Sequence, residues 1–303
     1  MLYDVNNLNL HYSITDEVVF ERGKGGLPFI KVSTPHASAI ISLLGGQVLS
    51  YSPSGTEDDL FFVSQNAYFQ TGKAIKGGAP VCWPWFAENP DDPALPFHGF
   101  ARTAPWKVME TGVRDNGQVE VHLALSDSPL SQSLWPYHFN LDLNINVGEA
   151  LVVALTTHNT GTREFTITEA IHSYFNIGNI SQVSVCGLDN KPYLDKVDDY
   201  AKKYQEGPIL VNGEVDRIYQ EVDSPLRIYD AALKRIIDID HSGSASTVVW
   251  NPWREISANS SDLQDDDYKR FICVETANAA DDVVTISPGS EHTLTVTYRL
   301  EKN

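Results

Sequence analysis

Cysteine is scarce in this chain: Cys82, Cys186 and Cys273 are the only three in 303 residues, and no two of them form a Cys-x-x-Cys pair. An odd, widely spaced set supports neither a disulfide framework nor a zinc ribbon, and it points to a reducing, cytoplasmic setting. Basic residues are also short, with Lys+Arg 22 against Asp+Glu 40 and a formal net charge of -18. Such a field repels phosphodiester backbones and anionic lipid, so nucleic acid is not expected as a partner. No apolar run approaches the ~20 residues that a bilayer-spanning helix needs. The first seven residues bring neither a basic start nor an apolar stretch, so no leader and no membrane partner are expected.

Several catalytic signatures are missing as well. The chain has no Gly-x-Ser-x-Gly elbow, no phosphate-binding Gly-x-x-x-x-Gly-Lys-[Ser/Thr], no dinucleotide fingerprint and no His-Glu-x-x-His. Serine-hydrolase, P-loop, Rossmann and metalloprotease readings lose their support. His98, His172 and a carboxylate could share a metal on a β scaffold, but no His-x-His pair or close chelating cluster appears in the sequence, so no metal is expected.

Amphipathic helical spacing is rare, and what replaces it has period two. Leu141, Leu143, Ile145 and Val147 alternate with Asp142, Asn144 and Asn146; Val119, Val121, Leu123 and Leu125 do the same, and so do Leu294, Val296, Tyr298 and Leu300. This is the pattern of antiparallel strands with one wet face. Further strands are expected at 29–32, 37–42, 47–51, 151–159, 165–174, 226–229, 235–239, 247–250 and 270–275. Asn116-Gly117 marks a hairpin between two of the β-rich runs. Only 131–135, closed by Pro136, and 197–204 look able to form short helices. With 42% hydrophobic residues the chain has ample material for a core; no β-α alternation, flexible linker or repeat divides it. An all-β sandwich or barrel in a single domain, 1–303, is the expectation.

One stretch stands apart from the strands. Between Lys73 and Arg102 lie two adjacent glycines, two prolines flanking a tryptophan, a second tryptophan and the cations Lys73, Lys76 and Arg102. Glycine permits close approach and proline excludes helix interior, so a ligand-facing loop that gathers positive charge for an anion is expected here; the bland alternative is a tethered loop whose tryptophans cover the core. Elsewhere, His172 and Glu275 each end an apolar strand, where an unpaired carboxylate would be costly unless it met a partner or a pocket. His98 opens His-Gly-Phe-Ala-Arg, and Asp216 stands beside Arg217, within reach of a simple ion pair with it or with Lys203. The acidic run Ser261–Asp267 reads as a solvated loop, without the spacing of an EF-hand.

Taken together, Gly77-Gly-Ala-Pro-Val-Cys-Trp-Pro-Trp-Phe86, His98-Gly-Phe-Ala-Arg102, Ala170-Ile-His-Ser-Tyr-Phe175, Asp216-Arg-Ile-Tyr219, Val249-Trp-Asn-Pro252 and Phe271-Ile-Cys-Val-Glu-Thr276 resemble the glucose-6-phosphate 1-epimerases, the hexose-phosphate branch of the aldose 1-epimerase (galactose mutarotase) superfamily. The resemblance runs from about the Gly45-Gly46-Gln47 turn to the final strand. It implies a twisted antiparallel β-supersandwich with a sugar cleft, and α–β anomer exchange of a small sugar phosphate without a cofactor. It assigns Glu275 as the base on the anomeric hydroxyl and His172 as the acid on the ring oxygen, on opposite sides of one hemiacetal. Asp216, His98 and, more weakly, Gln47 become sugar ligands, while Lys76 and Arg102 become the phosphate cations. The family commonly carries arginine where this chain has Lys76, and lysine forfeits the planar two-pronged contact. Alternatives to weigh are a mutarotase for unphosphorylated aldoses, a non-catalytic carbohydrate-binding protein on the same fold, and a glycoside hydrolase using Asp216 and Glu275.

Overall fold

In the computed structural model, which describes residues 3–302, the alternating runs lie side by side as antiparallel strands. Val119–Ser126, Phe139–Val147, Leu151–Asn159 and Glu291–Lys302 are neighbours in a nine-stranded sheet. Their register brings Leu123, Leu143, Leu155 and Leu294 into one row, all fully buried. One face therefore packs into the core, while the polar residues between them stay on the other. The Asn116-Gly117 hairpin forms as expected: Val113 pairs with Val119, and Gly117 takes the left-handed conformation with its N–H donating to Arg114 O at 2.8 Å.

The sheet that positions the site has eight strands. Its main path runs Ala201–Tyr204, Pro192–Asp195, Val215–Tyr219, Ser246–Asn251, Phe271–Asn278, Glu169–Ile171, Val81–Cys82. Alternation divides its residues between two environments. Val81, Ile171, Val249 and Val274 join the main core cluster, which extends from Val18 to Tyr298 and also holds the leucine row. Asp216, Val248, Trp250 and Glu275 stand on the opposite face. A four-stranded sheet, Val18–Arg22, Pro28–Ser33, Ala37–Ser42 and Gln47–Pro53, and the pair Phe165–Ile167 with Val284–Ile286 complete the architecture.

The expected strand over 165–174 is broken into three. Phe165–Ile167 leaves to pair with Val284–Ile286, whereas Glu169–Ile171 and Tyr174–Asn176 both pair with Phe271–Asn278. The two intervening residues, His172 and Ser173, make a tight turn in which Ser173 N–H donates to Ile171 O at 3.0 Å, and His172 N–H donates to Pro80 O at 2.9 Å. The expected helix over 197–204 is absent. A short 3-10 turn at Lys196–Asp198 is followed by Asp199 and Tyr200 in left-handed conformations, which end any helix, and Ala201–Tyr204 is a strand. The helix near 131–135 forms as Pro129–Leu134, capped by Ser128. Val5–Tyr12 and Trp253–Asn259 are helices that the sequence pattern did not announce. Among the described residues no helix is long and apolar enough to cross a membrane.

Glu169 is an unexpected resident of the interior. It is fully buried, its carboxylate oxygens have no hydrogen-bond partner among the described residues, and Oε1 lies 3.4 Å from His292 Nε2 without hydrogen-bond alignment. Burial first, and then the charge of Asp282, pushes its pKa up to about 8 from 4.5. Between those two values the folded protein keeps a proton that the unfolded chain releases, so stability conferred at low pH is lost as pH rises through the window. Glu169→Gln, neutral and similar in shape, is expected to flatten this slope and to gain up to about 5 kcal/mol near pH 8 relative to the parent. Urea unfolding at several pH values checks it, and an unchanged slope would refute the assignment.

Candidate functional site

The broken strand places the two central groups. Ile171 stands opposite Thr276 and Tyr174 opposite Cys273, so the turn between them sets His172 across from Glu275. Their side chains meet at 3.3 Å, His172 Nε2 to Glu275 Oε1, with His172 6% and Glu275 1% exposed. The two are thus direct neighbours and not groups held apart on opposite walls. They line a cleft of about 260 Å³ together with Tyr174, Trp250, Val248, Phe86, Phe97, His98, Asp216 and three cations, Lys76, Arg102 and Lys196. Tyr174 stacks on the His172 ring at 4.8 Å and 8°, and Trp250 meets the same ring edge-on at 6.0 Å. This aromatic packing limits how far the imidazole can turn.

The stretch from Lys73 to Arg102 divides its work. Trp83 and Trp85 are buried, and their indole N–H groups donate to Thr157 Oγ1 at 3.0 Å and Pro96 O at 2.9 Å, so they belong to the core side of the loop. Lys76 and Arg102 reach the cleft. Lys73 does not; it is exposed and lies over the Tyr68 ring at 5.7 Å. Gly77 and Gly78 explain the loop's path. Both have positive φ, and a Cβ would come within 2.3 Å of Phe62 O at Gly77 and of Val48 O at Gly78. Only glycine lets the chain press against those two segments and still turn Lys76 toward the cleft.

Gln47, expected as a weak sugar ligand, is fully buried and does not line the cleft. Its amide N–H groups donate to Ile75 O and Gly77 O, bracing the Gly77–Gly78 turn from behind. Asp216 lines the cleft as expected, but its ion-pair partner is neither Arg217 nor Lys203. Lys196 Nζ holds Asp216 Oδ2 at 2.6 Å, while Lys203 is occupied by Asp195 at 2.8 Å and Asp198 at 2.7 Å, and Arg217 lies over the Tyr193 ring. Lys196 was not legible as a site residue, because nothing in its local sequence distinguishes it from any other turn lysine. The acidic run is not wholly solvated either: Asp267 is buried and accepts from Ser64 Oγ at 2.8 Å, and Asp262 reaches Lys76 at 3.5 Å.

His98 occupies the cleft with a defined tautomer. Its Nδ1 accepts the Ala87 backbone N–H at 3.0 Å, and its own backbone N–H donates to Ala87 O at 2.7 Å. An accepting Nδ1 carries no proton, so the neutral ring holds its hydrogen on Nε2. Burial, then the charge of Arg102, lowers the pKa of His98 well below 6.5; burial with Arg102 and Lys76 does the same to His172. Glu275 moves the other way, pushed up by burial and by Asp216 against the opposing pull of Lys196 and Arg102. Burial in the cleft therefore favours a neutral imidazole beside a protonated carboxyl. Such a pair can exchange one proton with a bound molecule at two neighbouring points.

Tertiary structure also creates a cluster that the sequence could not show. One ligand atom each from His172, Cys273 and Glu275 lies within 4.8 Å of the others. That spacing suits a small cation geometrically. Burial pushes the Cys273 thiol well above its usual range, so a metal would have to displace both its proton and that of Glu275.

Residues 28–299 match the aldose 1-epimerase family. A protein of Salmonella typhimurium named "Putative glucose-6-phosphate 1-epimerase" is 38% identical over 268 residues, covering 86% of this chain and 87% of the relative; one of the same name from Escherichia coli is 37% identical over 265 residues, with 87% of each covered. Among solved structures, a crystal structure described as a putative mutarotase from Salmonella typhimurium superposes with a TM-score of 0.89 at 33% identity, covering 99% of both chains. A galactose mutarotase related enzyme from Lactobacillus acidophilus shares the fold at a TM-score of 0.71 and 14% identity, over 90% of this chain and 97% of that one.

Both cleft histidines should stay neutral at pH 6.5, where an ordinary imidazole is half protonated. Nitrogen NMR of ring-labelled protein is expected to show His98 as the Nε2–H tautomer and His172 without an imidazolium signal. An imidazolium at His172 in the unliganded protein at that pH would contradict the electrostatics described above.

Proposed function

The chain belongs to the aldose 1-epimerase family and is an isomerase of sugar anomers, and from that premise we propose that its substrate is an aldohexose 6-phosphate, in the first place glucose 6-phosphate. The observation that carries this reading is the direct contact of His172 with Glu275 in a cleft lined by three cations. The same reading takes residues 1–303 as one domain working in the cytoplasm without a cofactor.

Mutarotation asks for a proton to leave the anomeric hydroxyl while another arrives at the ring oxygen. Both oxygens are bonded to the same carbon, so a base and an acid in contact with each other can reach the two together. In the proposed cycle Glu275, as the carboxylate, takes the proton from the hydroxyl and the protonated His172 gives one to the ring oxygen. The ring opens to the aldehyde, the bond between the first two carbons rotates, and the groups exchange roles as the ring closes on the other face. The neutral pair favoured by burial and the charged pair needed at the start of this step differ only by one proton transfer. Electrostatics links that transfer to the phosphate. Arg102, Lys76 and Lys196 all depress His172, and a bound dianion would offset them and ease formation of the imidazolium.

Charge balance favours the phosphorylated substrate over a free aldose. With Glu275 protonated, Asp216 balances Lys196 and Asp262 approaches Lys76 at 3.5 Å, so the charge of Arg102 is left as a positive excess in a protein whose formal net charge is -18. A phosphate dianion offsets that excess; a neutral sugar does not. Arg102 already places Nη2 on Phe97 O at 2.6 Å, which holds the guanidinium at the cleft rim. Asp216 and the Nε2–H of His98 remain as acceptor and donor for sugar hydroxyls.

Glu275→Gln and His172→Ala are each expected to slow anomer exchange of glucose 6-phosphate by about 10²–10⁴-fold, read by magnetisation-transfer NMR, with the fold retained. Full exchange in both variants would end the acid–base assignment; sugar binding without exchange in the parent would favour a carbohydrate-binding protein instead. Arg102→Ala should cost about ten- to a hundredfold in kcat/KM for the phosphorylated sugar and much less for free glucose. Equal losses on the two sugars would remove the phosphate role.

A further inference from the structure

Lys196 differs from Lys76 and Arg102 in that its carboxylate partner also lines the cleft. Its ammonium is 2.6 Å from Asp216 Oδ2, and both side chains are four-fifths shielded from solvent while still lining the cleft. The turn that carries it is held from outside. Lys203 binds both Asp195 and Asp198 at 2.8 and 2.7 Å, and Asp195 also accepts the backbone N–H of Val197 at 3.2 Å. Two acids flanking Lys196 in sequence are thereby engaged elsewhere, and Asp216 is left as its ion-pair partner among the described residues. An ammonium has three N–H groups and a carboxylate several acceptor positions, so one shared contact leaves both with capacity facing the cleft. Fixing the geometry of the pair before a ligand arrives reduces the ordering cost of binding.

We propose that Lys196 and Asp216 act as one donor–acceptor unit that reads two neighbouring hydroxyls of the sugar ring, with Lys196 donating to one hydroxyl oxygen and Asp216 accepting from the next. Lys196 is then a specificity-determining residue of the isomerase and not a third phosphate ligand. A vicinal diol is the chemistry this unit fits. A single hydroxyl would leave one member of the buried pair without its second contact, and the two polar heads lie too close together to serve groups at opposite ends of the ring. The proposal rests on the cleft being the sugar site and is independent of whether the sugar is phosphorylated.

Removal of individual hydroxyls provides the test. Anomer exchange is measured for the parent and Lys196→Met with glucose 6-phosphate, with its 2-, 3- and 4-deoxy analogues, and with free glucose. Lys196→Met is expected to lower kcat/KM for the intact sugar phosphate about ten- to a hundredfold. That penalty should shrink to less than about twofold for one deoxy analogue and persist for the others. It should also persist for free glucose. Loss of the penalty with free glucose would make Lys196 a phosphate ligand, and a penalty unchanged across every sugar would make it purely structural; either outcome overturns the proposal. Lys196→Arg, which keeps the charge and can still donate, is expected to restore part of the Lys196→Met loss on intact glucose 6-phosphate; no restoration in a folded variant would count against the donor role. If the parent exchanges free hexoses but not the phosphates, the substrate reading fails on its own, and the deoxy series on unphosphorylated glucose still decides the role of Lys196.

Discussion

A carboxyl group that is 1% exposed, set by strand register against an imidazole, is the constraint from which the rest of the site follows. Glu275 cannot be tolerated in such a place unpaired. The antiparallel pairing of Glu169–Ile171 and Tyr174–Asn176 with the same strand brings the partner from more than a hundred residues away, and the turn at His172-Ser173 frees the imidazole from the pleat so that it can face the carboxyl. The opposite face of that sheet is anchored in the main core through Val81, Ile171, Val249 and Val274. Any relaxation that separated acid from base would have to disturb that packing. Rigidity at the reacting centre is thus supplied by the sandwich itself and not by loops.

Around this pair three cations are gathered at one cleft. Lys76, Arg102 and Lys196 come from three separate places in the chain, and each is partly engaged by its own neighbour: Asp262, the Phe97 carbonyl and Asp216. None is neutralised by the reacting groups, whose burial keeps them uncharged. The acidic surface and the basic cleft serve different ends. The first accounts for the formal net charge of -18; the second concentrates positive charge at one small opening.

Particular residues show where local sequence runs out. The leucine row, the Asn116-Gly117 hairpin and the short helix at Pro129–Leu134 follow from alternation and turn chemistry, which are properties of neighbours in the chain. The strand over 165–174 could not be seen to break, because its apolar run continues while its hydrogen-bond partners change. Gln47 looked like a polar residue near a glycine turn and is a brace behind it. Lys196 stands just before the helix expected over 197–204 and is a cleft lining. In each case the deciding fact is which distant backbone or carboxylate stands opposite, and no local pattern encodes that.

The amino-acid order by itself determined that the protein is all-β, that its interior is built from period-two apolar faces, and that His98, Arg102, His172, Asp216 and Glu275 are residues to watch, because alternation, turn glycines and motif order are written along one dimension. Only the tertiary structure decided that His172 and Glu275 touch, that Lys196 and not Arg217 holds Asp216, that Lys73 stays outside while Lys76 enters, and that Gln47 supports instead of lining. The physical reason is that pairing register and burial act between segments that are remote in the chain. Ion-pair choice and proton affinity depend on the few ångströms those segments leave between them.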